Sequence, residues 1–129
     1  MEQKKYLIDT NVIIDYLGNR LPISGLNFMN GIIDTIPTIS VISKIEVLGF
    51  ATTDENYSIL KGFINDSSVL DLTENVIDTC IEIRKNYKTK LPDAIIASTA
   101  IANNLILITR NISDFKNIDD LQVVDPHSL

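Results

Sequence analysis

Apolar residues recur along this chain in two alternating rhythms. Short unbroken runs, as at Tyr6-Leu7-Ile8 and Leu105-Ile106-Leu107-Ile108, read as strands buried on both faces. Between such runs the apolar positions fall at helical spacing. Val12, Ile13, Tyr16 and Leu17 predict a helix over Asn11 to Leu17, ended by Gly18-Asn19-Arg20 with Pro22 beyond. A short helix is expected from Leu26 to Ile36, then a brief strand at Thr38-Ile39, then a helix capped by Ser40 and running through Phe50. Asp54 is the expected cap of the next helix, to about Asn65, and Ser68 to Leu72 alternates as a strand. Thr73 caps a long helix in which Val76, Ile77, Cys80, Ile81 and Ile83 face away from Glu74, Asp78 and Glu82. Pro92 suits a first helical position, and the helix it opens carries Ala94, Ala97, Ser98, Ala100 and Ala102 before Asn103-Asn104 stops it. A turn or short helix at Ser113 to Lys116 and a strand at Leu121 to Val124 complete the pattern. Alternating strands and helices predict an α/β fold: a parallel β-sheet of about five short strands with helices on both faces. No internal repeat, low-complexity tract or linker interrupts it.

Composition narrows this picture. The 129 residues fit one domain, 1–129, and 45% hydrophobic content supplies a core. No apolar run reaches the roughly 18 residues of a membrane span. Met1 to Lys5 lack the apolar stretch of a leader, so a cytoplasmic location is expected. The single Cys80 excludes an internal disulfide and a cysteine metal cluster, and reads as a small buried hydrophobe. The one histidine, His127, reads as a loose tail residue, which disfavours histidine-dependent catalysis. A net charge of −6 argues against a duplex-DNA reader that neutralises many phosphates, but not against a nuclease whose own carboxylates supply part of that charge.

Four acids stand where such a fold would gather them. Asp9 ends the first strand, and Asn11 is placed to share the helix-capping duty and free it. Glu46 falls between Ile42 and Phe50 on its helix, an apolar flank that is costly for an unpaired carboxylate. Asp93 lies in the first turn of its helix, where the dipole also favours an acid, and Asp114 follows the strongest strand by a short loop. Carboxylates sharing the crevice at the strand ends need a cation or a proton to coexist. Oxygen donors without soft ligands select Mg²⁺ or Mn²⁺. Asp15, one helical turn beyond Asn11, is a further acid near that crevice. The remaining acids read as caps, turns and solvated faces.

Taken in order, these segments resemble a known family. Leu7 to Leu17 resembles the opening motif of the PIN-domain nucleases, and Ser43 to Leu48 the second, with its glutamate. Leu91 to Ala100 resembles the third motif and Leu107 to Phe115 the fourth, in which the amide Asn111 leaves Asp114 as the only carboxylate. Order, spacing and length are similar to the VapC-like toxins of bacterial type II toxin–antitoxin systems. The resemblance implies a metal-dependent ribonuclease, a homodimer, held inactive by a cognate antitoxin. It implies Asp9 and Asp93 as direct ligands, Glu46 and Asp114 as holders of water or a second ion, and products with a 5′-phosphate and a 3′-hydroxyl. Asn11 and Thr109 would orient ligands or substrate.

Substrate RNA must still approach an acidic crevice. Arg84, Lys85, Tyr87, Lys88 and Lys90 form a basic run leading into Asp93, with Tyr87 available for base stacking, and Arg110 is a second candidate for a phosphate contact. The same run also fits a solvated helix end. Leu26, Phe28, Phe50, Ile59 and Phe63 read either as core or as an apolar interface for a second copy or an antitoxin. Two rival readings remain open. A phospho-receiver domain shares the length and the strand-end aspartate, but Thr10-Asn11 replaces its acidic pair and no lysine follows Val123-Val124. A PIN fold kept only for binding is the other.

Overall fold

The computed structural model describes residues 5–129; Met1 to Lys4, which carry most of the leader reading, lie outside them. Five short strands and seven helices alternate among the described residues: β1 (Tyr6–Ile8), α1 (Thr10–Leu17), α2 (Ile23–Ile33), β2 (Thr38–Ser40), α3 (Val41–Leu48), α4 (Asp54–Asn65), β3 (Ser68–Leu70), α5 (Glu74–Asn86), α6 (Leu91–Ala102), β4 (Ile106–Ile108), α7 (Ile112–Phe115) and β5 (Val123–Val124). Every ladder is parallel. β4 is hydrogen-bonded between β1 and β5, and β2 pairs with β3. β2 lies alongside β1, so the two ladders form one split layer.

Successive strand residues point to opposite faces, and this divides the core in two. Leu7 and Leu107 face α5, α6 and α7, packing with Cys80, Ile83, Ala97, Ala100 and Phe115. Ile8 and Ile108 face the other way, onto Val12 and Ile13 of α1, Met29 of α2, Val47 of α3 and Leu60 and Ile64 of α4. Helices therefore cover both faces. Full burial of each large side chain contributes about 1.5–3 kcal/mol. Among the described residues, no helix is long and apolar enough to cross a membrane.

Several boundaries differ from the sequence pattern for local reasons. Thr53, not Asp54, caps α4: its hydroxyl accepts from Asn56 N, while Asp54 and Glu55 occupy the first turn, where the dipole favours them. Helix α2 starts at Ile23, directly after Pro22 with its fixed φ, and stops at Ile33; Pro37 then disfavours helical geometry at Ile36. Helix α3 stops at Leu48 with Gly49 as its C-cap, which leaves Phe50 outside it. After α1 and α6 the left-handed turn falls on an asparagine, Asn19 (φ 56°) and Asn104 (φ 55°), a residue that tolerates this region. Ser40 and Thr73 cap α3 and α5 as the sequence predicts.

Candidate active site

The parallel register between β1 and β4 sets Ile8 beside Ile108, so both chains leave the sheet at the same end. Asp9 and Thr109 are the next residues, and the Thr109 hydroxyl donates to Asp9 Oδ2 at 2.8 Å across 100 positions of sequence. Asp9 is also the N-cap of α1, its Oδ1 accepting from Thr10 N at 2.8 Å. Asn11 therefore does not take over the capping. Its amide donates to Asp9 Oδ2 at 3.2 Å and its carbonyl accepts from Arg110 N at 3.2 Å, so it ties α1 to the end of β4.

Each of these hydrogen-bond donors to Asp9 is uncharged. The carboxylate is 5% exposed, and burial pushes its pKa up from 3.8 to about 6. Hydrogen bonds from Thr109 and Thr10 pull the value down, while the charges of Asp93 and Glu46 push it up again. Asp93, at the start of α6, is raised as well. Burial is the first cause and the charge of Asp114 the second; Lys90 opposes them and Glu46 adds to them. Asp9, Glu46, Asp93 and Asp114 thus share one electrostatic neighbourhood. Among the described residues, no three acid, histidine or cysteine groups close into a ready-made metal cage.

Glu46 lies differently from the sequence expectation. It is exposed, and Phe50, which was to form its apolar flank, is 54% exposed beyond the end of α3. Its anchor is Thr10, whose hydroxyl lies 2.7 Å from Glu46 Oε1 and 3.0 Å from Ser43 Oγ. One hydroxyl proton cannot serve both. A carboxylate only accepts, so Thr10 donates to Glu46 and Ser43 donates to Thr10. Neither Thr10 nor the buried Ser43 stood out in the sequence as part of the site, although Ser43 and Glu46 are three apart, on one helical face.

The other candidates divide. Tyr87, Lys88 and Lys90 line a crevice of about 380 Å³ with Asp93, Asp114, Asn86, Ser113 and Asn117. Tyr87 is half-buried, packs partly on the core and accepts from Asp119 N at 3.2 Å through its hydroxyl, which fixes the ring at the crevice wall. Arg84 and Lys85 do not line this crevice: they border an apolar surface with Leu72, Ile77 and Ile81, Arg84 Nη1 donating to the Thr89 carbonyl at 2.7 Å and Lys85 pairing with Glu82 at 3.6 Å. Arg110 Nη1 donates to both oxygens of Asp15, at 3.1 and 3.0 Å. His127 is not a loose tail: its Nε2 lies 3.0 Å from Asp15 Oδ2. Asp15 is 1% exposed, which makes it a buried, doubly partnered acid. Leu26, Phe28 and Phe63 are half-buried, the last two packed on the core, while Phe50 and Ile59 line an open groove with Ile14, Leu17 and Leu60.

The Thr109 bond gives a direct test of the tuning of Asp9. Thr109→Val is expected to raise the Asp9 pKa further, by about one unit, because a hydrogen bond to the ionised form is lost. A carbon-13 titration of the side-chain carboxyl measures it; an unmoved midpoint would show that burial alone sets the value.

Comparison with known proteins places this geometry. The model of the PIN domain family matches residues 6–121. The chain is 29% identical over 126 residues to ribonuclease VapC2 of Rickettsia felis, covering 90% of this chain and 93% of that protein. Among solved structures it superposes on a chain of a toxin–antitoxin complex from Klebsiella pneumoniae with a TM-score of 0.74 and 30% identity, over 95% of this chain and 98% of the other. It also superposes on a chain of VapBC2 from Rickettsia felis bound to a DNA fragment of its promoter, with a TM-score of 0.78 and 26% identity, over 93% and 97% of the two chains. A match spanning β1 to the loop before β5, on a fold that gathers the four acids at one sheet end, shows that this chain belongs to the PIN-domain family.

Proposed function

We propose that this protein is a Mg²⁺- or Mn²⁺-dependent ribonuclease that serves as the toxin of a toxin–antitoxin pair. The observation that carries the reading is Asp9: a buried carboxylate held by uncharged donors and facing the charges of Asp93 and Glu46. Such a group lacks a cation, and hard oxygen donors suit a magnesium-type ion. The open arrangement fits as well, because Mg²⁺ is commonly held by one or two carboxylates while it keeps waters and substrate oxygens. Asp9 and Asp93 would hold it. Bound there, it would polarise the scissile phosphate and make water a better nucleophile.

The chain's own residues supply the rest. Glu46, held by Thr10, and Asp114 at the rim would hold and orient the attacking water and accept its proton. Lys88 and Lys90 carry the RNA backbone toward the acids. Arg110 contacts a phosphate. Hydrolysis in this manner leaves a 5′-phosphate and a 3′-hydroxyl. The toxin role rests on the toxin–antitoxin complexes among the similar structures, and so does a cognate antitoxin as partner. The open groove of Phe50, Ile59, Ile14 and Leu17 offers an apolar floor for an antitoxin segment. A homodimer in the cytoplasm completes the reading.

Expression in a bacterial host tests it. Wild type should arrest growth and Asp93→Asn should not, and purified wild type should cleave RNA with Mn²⁺ and lose that activity in EDTA. Equal toxicity of the two proteins, or cleavage indifferent to EDTA, would overturn the proposal. Intact binding of RNA without cleavage would favour a PIN fold kept only for binding.

A further inference from the structure

The segment Asp125–Leu129 is laid down as a strap. Asp125 Oδ1 accepts from His127 N at 2.8 Å and Oδ2 from Ser128 Oγ at 3.2 Å, which curls the segment on itself. Ser24 bonds the Leu129 carbonyl, and the backbone of Pro126 lies directly on Gly25 of α2. A Cβ added at Gly25 would stand 1.9 Å from the Pro126 carbonyl oxygen, so only glycine lets the strap seat there. The strap delivers His127 to Asp15. An ionised carboxylate only accepts, so Nε2 carries the hydrogen of that 3.0 Å contact.

Asp15 also holds Arg110, through Nη1 alone, which bonds both carboxylate oxygens and shares Oδ2 with His127. The Arg110 side chain is 49% exposed, and among the described residues its Nε and Nη2 make no hydrogen bond. Its backbone is joined to the acidic crevice through Asn11, which bonds Asp9. The buried acid, itself gripped by two donors, restrains the half-exposed guanidinium while two of its nitrogens keep their hydrogens for a ligand. Pinning a flexible side chain before binding removes the entropic cost of ordering it on the ligand.

We propose that the strap positions Arg110 for a substrate phosphate, with His127 and the buried Asp15 as positioning residues. This rests on the ribonuclease reading and names a route by which a remote segment tunes that site.

The test is binding of a short fluorescent single-stranded RNA of mixed sequence to the Asp93→Asn protein, followed by anisotropy over a range of salt. Arg110→Lys keeps a cation on Asp15 but loses the open nitrogens. It should weaken binding about tenfold. Arg110→Ala should also lower the log–log salt slope by about 0.7, the value for one lost phosphate contact on a single strand. His127→Ala, and Gly25→Ala from a distance, should each weaken binding about threefold in the parent and add nothing in the Arg110→Lys background. His127→Gln, which retains a donor, should recover most of the loss. Thermal unfolding of each variant shows that it is folded, and His127→Gln carries the comparison if Gly25→Ala is not. Additive losses from His127→Ala and Arg110→Lys, or an unchanged salt slope in Arg110→Ala, overturn the proposal while leaving the nuclease intact. Wild type that neither binds nor cleaves RNA overturns both.

Discussion

Asp9→Asn is expected to lower RNA cleavage at least a hundredfold and, at the same time, to stabilise the ion-free protein. The two effects have one cause. Asp9 sits where its charge is expensive: burial and the facing acids lift its pKa from 3.8 to about 6. At neutral pH the ionised group therefore costs the fold on the order of 3 kcal/mol relative to the unfolded chain. Asparagine is nearly isosteric and removes that charge, although it gives up one acceptor for Thr10, Asn11 and Thr109, so a net gain of about 1–2 kcal/mol is expected. In the proposed function the same exchange removes one of the two donors that would hold a Mg²⁺-type ion. Even groups that only orient metal ligands are worth 10–100-fold, so about a hundredfold is a floor for a ligand itself. Urea unfolding in EDTA and cleavage assays with Mn²⁺ measure the two sides. A variant that is less stable without ions, or that cleaves within tenfold of wild type, would contradict the account.

Stability of the ion-free protein should fall as pH rises from about 4 to about 6, opposite to the trend for most carboxylates. The sign follows from the direction of the shift. Below 3.8 Asp9 is protonated in both folded and unfolded chains. Between 3.8 and about 6 the folded chain holds a proton that the unfolded chain has released, so raising pH favours unfolding. Above about 6 the penalty is constant. Asp93, also raised, adds in the same direction. A bound divalent ion reverses the trend, because it requires the ionised form. At a hundredfold excess over its dissociation constant it should restore about 2.7 kcal/mol near pH 7 and almost nothing near pH 4. Melting curves in EDTA and in Mn²⁺ across this range distinguish the cases. Parallel pH profiles with and without Mn²⁺ would show that no ion binds at Asp9.

Much of the architecture was legible along the chain because it is local. The apolar run of β4, the hydroxyl caps Ser40 and Thr73, and the asparagine stops of α1 and α6 each depend on a few neighbouring residues. The family motifs were legible for a similar reason, since each acid sits in a short recognisable segment: after β1 for Asp9, inside α3 for Glu46, in the first turn of α6 for Asp93 and in the short helix after β4 for Asp114. The environment of each acid was not. The sequence pattern puts Glu46 on an apolar flank of a helix running through Phe50; α3 ends before that residue, and Glu46 is held by a threonine from another element. His127 reads as a loose tail residue because nothing near it in sequence reveals its partner, which lies 112 positions away. Tyr87 reads in the sequence as available for stacking, and only packing on the core and the bond from Asp119 show how its ring is fixed at the crevice wall.

The sequence by itself determined the order of elements, the two-faced core set by the alternation of Leu7 and Ile8, and the identity of four acids in four separate motifs. Only the tertiary structure decided which of their charges are compensated and by what. Thr109 reaches Asp9 because the parallel register places Ile8 beside Ile108, and that same register brings Arg110 to Asn11 and Asp15. Hydrophobic period and capping are short-range and repeat within a few residues. The field at a buried carboxylate is set by atoms within a few ångströms in space, wherever in the chain they come from.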